Sequence, residues 1–274
     1  MMKTVKNKSR LAEAFLKLNQ EGKKAFIPFN LLGYPDKKSS IAVLKALVEG
    51  GATALELGLP FSDPMADGPL IQKASHSVLE SGFSIADAIE IIKEVRSACP
   101  DTPINLLTYF NLALSKGVES FLTSFKEAGV DAVTFVDLPL EEMDEIYGFI
   151  KSLELDSVML ISPLTPPHRI DEILKYARGF LYLVSRAGTT GMQETYSNKL
   201  EEVLNTIKER TELPVLVGFG ISSPEQAKMM IASGADGVIV GSKILDIIEK
   251  SDPKDLQKEL VSFTASIVST ICQQ

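Results

Sequence analysis

Short apolar runs rich in β-branched residues recur along the chain, and each gives way to a segment whose apolar positions repeat every three or four residues. The runs AFIPFN (25–30), TALELG (53–58), INLLTY (104–109), AVTFVD (132–137), SVMLIS (157–162), FLYLVS (180–185), PVLVGF (214–219) and GVIVG (237–241) predict eight strands. Between them, SSIAVLKALVEGG, SIADAIEIIKEVRSA, GVESFLTSFKEAG, EEMDEIYGFIKSL, RIDEILKYA, KLEEVLNTIKER and SPEQAKMMIASG predict helices with charged outer faces, several ending in glycine. Strand and helix alternating so regularly predict a parallel sheet. Ahead of the first strand, Leu11, Ala14, Phe15 and Leu18 fall at i, i+3, i+4 and i+7, one face of an amphipathic helix packed on the domain.

Eight such units without a Pro/Gly/Ser-rich linker fit an α/β fold, a (βα)8 TIM barrel with an extra N-terminal helix, as a single domain over residues 1–274. A doubly wound open sheet shares the alternation. Its dinucleotide-binding version is disfavoured because the first βα turn, Asn30 to Asp36, has one glycine and no GxGxxG fingerprint. In a barrel, chemistry belongs on the loops leaving the C-terminal ends of the strands.

Composition narrows the chemistry. The chain is 45% hydrophobic and 23% charged, and 28 basic against 36 acidic residues give a net charge of −8. That is an ordinary soluble globular composition, and it disfavours nucleic-acid binding, which draws on Lys and Arg. Cys99, Cys272, His76 and His168 lie too far apart for a zinc cluster, so metal-free chemistry is expected. The basic N-terminus lacks the apolar core of a secretory leader, and no apolar run reaches the ~20 residues that cross a bilayer, so a cytoplasmic location without membrane association is expected.

The most informative stretch is Leu55 to Pro69, LELGLPFSDPMADGP. Strand alternation puts Leu55 and Leu57 on one face and Glu56 on the other. If the leucines meet the helices, Glu56 points into the barrel, where desolvation raises a carboxyl pKa and suits it to give and take protons near neutral pH. A glutamate buried for structure and held by a Lys or Arg reads equally well from the strand alone. Asp67, eleven residues on, is a second carboxylate able to face the same pocket and fix a polar group of a substrate. Asp63, before Pro64, also reads as a turn residue.

ELGLPFSDPMADGP resembles the signature of the tryptophan synthase alpha subunit family, E-L-G-x-P-[FY]-S-D-P-x-A-D-G-P, at every fixed position. The likeness extends through AFIPF, LVSRAGTTG, VGFGISSPEQ and the Gly-Ser after the eighth strand. The resemblance implies a carbon–carbon lyase of tryptophan biosynthesis that cleaves indole-3-glycerol phosphate into indole and glyceraldehyde 3-phosphate. It implies Glu56 as the proton-transfer residue and Asp67 as the partner of the indole N–H. Phe29, Leu107, Tyr109 and Tyr182 match pocket positions, although each also reads as core, and Thr190 matches the loop residue nearest the catalytic acid. It further implies no cofactor in this chain, and an α2β2 heterotetramer with a beta subunit that carries pyridoxal phosphate and receives the indole. Asp63, Pro64 and Pro139 fall in segments resembling the partner-facing surface. Tyr34, where the family often has aspartate, and Tyr109-Phe110-Asn111-Leu112, in place of Y-Y-N-P, depart from the pattern.

Glycine-bearing segments follow the last three strands: Arg186 to Gly191, Gly218 to Ser222, and Gly241-Ser242 opening a helix. Late loops and a helix N-terminus in β/α barrels often bind phosphate through backbone N–H groups. Gly191, Gly220, Gly241 and Ser242 fit that role by position and by resemblance. The acidic surface does not oppose it, because charges beyond ~8 Å are largely screened at physiological salt, whereas each charge-assisted hydrogen bond contributes ~1.5 to 3 kcal/mol. The long connection from Ser185 to Asn198 reads as a solvated loop or as a lid. Other phosphate-binding barrels share the late glycines but are not expected to carry SDPMADGP, and intact Glu56 and Asp67 argue against a purely scaffolding subunit.

Overall fold

The computed structural model describes residues 9–184, 193–218 and 220–272. Among these residues nine strands form one parallel sheet: β1 Ala25–Leu31, β2 Leu55–Gly58, β3 Ile104–Thr108, β4 Ala132–Phe135, β5 Asp156–Ser157, β6 Met159–Ile161, β7 Leu181–Val184, β8 Val215–Gly218 and β9 Gly237–Val240. The helices are α1 Arg10–Gln20, α2 Lys37–Glu49, α3 Pro69–Glu80, α4 Ile85–Ala98, α5 Phe110–Lys116, α6 Val118–Ala128, α7 Met143–Ser152, α8 Pro167–Ile173, α9 Gln193–Lys208, α10 Pro224–Ala232, α11 Ser242–Lys250 and α12 Leu256–Cys272.

The sheet order is β5-β4-β3-β2-β1-β9-β8-β7-β6. β5 and β6 are the two halves of the predicted fifth strand. The first half pairs with β4 and the second with β7, and between them the Val158 N–H donates to the Val133 carbonyl at 3.0 Å. The two ends of the sheet therefore meet along one stretch of chain, and the barrel is nearly closed. β2 starts two residues later than the pattern predicts. The Thr53 N–H still reaches the Phe26 carbonyl at 2.8 Å, and its hydroxyl accepts from the Phe26 N–H at 3.1 Å, so a side chain takes over one ladder position.

Alternation along the strands sorts side chains into two layers. Phe26, Leu55, Leu57, Ile104, Leu106, Leu181 and Val217 pack outward with helix residues such as Leu44, Ile91, Phe121 and Leu245. Ala25, Ile27, Ala132, Val158, Tyr182, Leu216 and Ile239 form a second cluster in the barrel, joined by Leu11 and Phe15 from α1. The predicted N-terminal helix thus packs its apolar face into the barrel's N-terminal end, with the Phe15 ring 5.9 Å from that of Phe180. Burying each of these two side chains contributes about 1.5 to 3 kcal/mol. Ser9 caps α1 by accepting from the Ala12 N–H at 3.1 Å, and its hydroxyl donates to Asp156. Three helices, α3, α5 and α12, occupy segments to which the sequence pattern assigned no element. α3 follows Gly68 and carries Pro69 in its first turn, where a missing N–H loses no helical bond.

Candidate active site

β2 delivers Glu56 to the barrel interior. Leu55 and Leu57 pack against the helices, as alternation requires, and Glu56, 1% exposed, sits in register between Phe29 on β1 and Asn105 on β3. The Asn105 amide donates to Glu56 Oε1 at 3.0 Å and also contacts the Thr134 hydroxyl on β4 at 3.0 Å. No described lysine, arginine or histidine pairs with Glu56. Burial pushes its carboxyl up from 4.5 to about 8, the Asn105 bond works against that rise, and the charge of Asp67 adds to it. The purely structural reading of Glu56 required a cation, and among the described residues none is there.

Asp67 reaches the same space from the loop after β2. That loop is fixed at several points: Ser75 of α3 bonds both the N–H and the carbonyl of Phe61, and the Gln72 amide donates to the Asp67 carbonyl at 2.8 Å. Tyr109, at the end of β3, donates its phenol proton to Asp67 Oδ2 at 2.9 Å and accepts from the Ala66 N–H at 3.0 Å. Its ring stacks on Phe61 with centroids 4.7 Å apart. One tyrosine therefore ties both the backbone and the carboxylate of the loop to the barrel mouth. Burial raises the Asp67 pKa, and the Tyr109 bond opposes that shift. Asp63 is exposed and accepts from the neighbouring Ser62 hydroxyl at 2.6 Å, which fits its reading as a turn residue.

Across the barrel, Tyr182 on β7 is buried, and its phenol pKa is driven well up by desolvation, then by the charges of Glu56 and Asp67. Close approach explains two glycines on the strands. A Cβ on Gly218 would lie 2.4 Å from the Tyr182 ring, and one on Gly58 would lie 2.6 Å from the Phe29 ring. Both aromatic rings lie flat against backbone only because those side chains are missing. Leu107 faces the interior and joins its apolar cluster.

Gly241 follows β9 directly and is the N-cap of the nine-residue helix α11, whose first residue is Ser242; no side chain caps that helix. Gly241 also lies beside Phe29, since a Cβ there would sit 3.2 Å from the ring. Gly220 is exposed just past β8. Thr190, Gly191 and residues 185–192 of the connection read as loop or lid lie outside the described residues, while its remainder, 193–198, is the first part of α9 and not loop. The structure thus gathers Glu56, Asp67, Phe29, Tyr109 and Tyr182 at one end of the barrel.

Sequence reasoning missed Asn105 and Thr134. The available signal was a polar side chain at an inward position of an otherwise apolar strand, in INLLTY and AVTFVD. It also did not single out Asn30, fully buried on β1, whose side-chain amide has no hydrogen-bond partner among the described residues.

A family model described as the tryptophan synthase alpha chain matches residues 15–270. Tryptophan synthase alpha chains from Methanoregula boonei and Arabidopsis thaliana are 42% and 41% identical to this chain, over 92% and 99% of it and 94% and 98% of their own lengths. The crystal structure of tryptophan synthase subunit alpha from Legionella pneumophila superposes with a TM-score of 0.88 at 34% identity, covering 96% of this chain and 98% of that one. A chain from a crystal structure of Mycobacterium tuberculosis tryptophan synthase superposes with a TM-score of 0.86 at 29% identity, covering 97% and 99%. With a family model matching residues 15–270 and likeness running through nearly its whole length, this chain belongs to the tryptophan synthase alpha chain family.

Proposed function

We propose that the chain is a lyase that performs the alpha reaction, a retro-aldol cleavage of indole-3-glycerol phosphate into indole and glyceraldehyde 3-phosphate, with Glu56 carrying the proton. The observation that carries this reading is a fully buried carboxyl, lacking a cationic partner among the described residues, whose pKa stands at about 8. Such a group is largely protonated at neutral pH and still able to ionise within a turnover.

In the proposed sequence Glu56 protonates the indole carbon that bears the glycerol chain, leaving a cationic ring nitrogen. The carbon–carbon bond then breaks and its electron pair restores the ring. The neighbouring hydroxyl becomes the aldehyde as its proton passes to the Glu56 carboxylate, which regenerates the acid. Asp67, oriented by Tyr109, accepts the indole N–H and stabilises the positive charge. Phe29, Leu107 and Tyr182 wall the ring. Gly220, Gly241 and Ser242, with Gly191 and Thr190, would hold the phosphate end and approach the acid; the uncapped N-terminus of α11 supports the phosphate assignment. No cofactor enters the scheme.

We also assign a beta subunit as partner, in an α2β2 assembly, with pyridoxal phosphate on the beta side. Met65, 84% exposed beside Asp63 and Pro64 on the loop after β2, supports a docking surface there; Pro139, and Leu164 at 92% on the loop after β6, are likewise exposed. The test is indole release from indole-3-glycerol phosphate by the pure chain, with and without a beta subunit. Glu56→Gln is expected to lower turnover by about 10³-fold while substrate still binds. Near-normal turnover in that variant would overturn the assignment.

A further inference from the structure

Glu56, Asn105 and Thr134 lie on three adjacent strands and form one buried polar chain across the interior wall. Glu56 and Asn105 are direct register partners, and Thr134 sits one strand further on. All three are at most 1% exposed. The Asn105 amide nitrogen reaches Glu56 Oε1 and the Thr134 oxygen, both at 3.0 Å, and the Thr134 hydroxyl returns a bond to the Asn105 carbonyl oxygen at 3.2 Å. The threonine therefore grips both ends of the amide and leaves its nitrogen aimed at the carboxyl.

A carboxyl that must first give a proton and then take one back has two ways to fail. In purely apolar surroundings it keeps its proton, because desolvation disfavours the charge. Against a lysine or arginine it stays ionised. A neutral amide donor lies between these limits. It favours the ionised form through one hydrogen bond without supplying a full charge. We propose that Asn105, fixed by Thr134, is a positioning residue that holds the Glu56 carboxyl and stabilises its ionised form enough for one side chain to act as acid and then as base. This rests on the proposed proton-transfer role of Glu56.

The titratable groups that face Glu56 among the described residues are Asp67, from the loop after β2, and Tyr182, from β7 across the barrel. Asp67 disfavours a charge on Glu56, the charge of Glu56 in turn helps keep the Tyr182 phenol protonated, and the Asn105 amide favours the ionised carboxylate.

The test combines two readouts. Isotope-edited infrared titration of the Glu56 carboxyl, assigned by subtracting a Glu56→Gln spectrum, follows its protonation without turnover. The pH profile of indole release follows its use. Asn105→Leu is expected to raise the Glu56 midpoint by about one pH unit, to move the alkaline limb of kcat upward by the same amount, and to lower kcat about tenfold with little change in KM. The double variant Asn105→Leu/Thr134→Val removes both polar partners together, leaves no orphaned hydroxyl, and is expected to show the same shift if the single variant folds poorly. A Glu56 midpoint unmoved in either folded variant would overturn the proposal and leave Asn105 a filler of a polar core. Absence of indole release by the parent chain would instead overturn the function, and the infrared shift would still decide the role of Asn105.

Discussion

At the N-terminal end of the barrel, Asp131 is buried between two guanidinium groups, Arg10 and Arg96, each at 2.7 Å, and also accepts from the Ile104 N–H at 2.9 Å. At the C-terminal end, Glu56 is buried just as deeply against one neutral amide. Both side chains are acids removed from water by the same parallel strands, and their partners separate their uses. Asp131, from the residue before β4, ties the helix that plugs the barrel (through Arg10) and the end of α4 (through Arg96) to the backbone of β3, as a staple. Glu56 meets no cation among the described residues, and burial favours its protonated form.

The contrast can be broken by exchanging which property each substitution damages. Glu56→Gln should produce the largest effect, the ~10³-fold loss of indole release, with an unfolding midpoint in denaturant no lower than the parent's, because the variant buries a neutral group of the same shape. Asp131→Ala should do the reverse. It leaves Arg96, mostly buried, facing an empty partner site, and is expected to cost about 3 kcal/mol in urea unfolding while kcat of the folded fraction is retained. A stable Asp131→Ala protein, or one whose kcat collapses, would erase the distinction between the two ends. Asp67→Asn comes next, with an expected ~10²-fold loss of turnover from the weakened acceptor for the ring N–H.

A further effect is a matter of pH. Glu56 has a higher pKa folded, about 8, than its ordinary 4.5, so between these values the native state holds a proton that the unfolded chain has released. Its contribution is therefore fully present below about 4.5 and is lost as pH rises toward 8, with a slope of at most ~1.4 kcal/mol per pH unit. Unfolding of the parent and of Glu56→Gln measured from pH 5 to 9 should diverge in that window, with the variant gaining on the parent as pH rises. Parallel curves would show that Glu56 ionises as freely as in water.

Much of this contrast was legible in the sequence at one end only. Alternation in Leu55-Glu56-Leu57 turned Glu56 inward provided the leucines met the helices, and eight regularly spaced strands with no GxGxxG in the first βα turn favoured a barrel over an open sheet. Strand periods survive into the fold because each strand packs apolar residues on both faces of the sheet. What surrounds Glu56 was not legible. Asn105 becomes its partner through the register of β2 on β3, and Thr134 joins through β3 on β4; neither register is written in local spacing. The Asp131 staple is more remote still, since Arg10 lies 121 residues away in the chain. The Tyr109 bond to Asp67 depends on how the proline-rich loop folds back over β3. The split of the fifth strand reflects a change of pairing partner at Val158, which strand propensity does not encode.

The proposed role of Glu56 as proton carrier rests on its burial with no cation among the described residues to hold its charge. Infrared titration of its carboxyl in the otherwise unaltered chain, with the Glu56→Gln spectrum subtracted, tests this most directly. A single protonation step near pH 8 is expected; a step near 4.5, the ordinary value of an unhindered glutamate, would contradict the proton-carrier role.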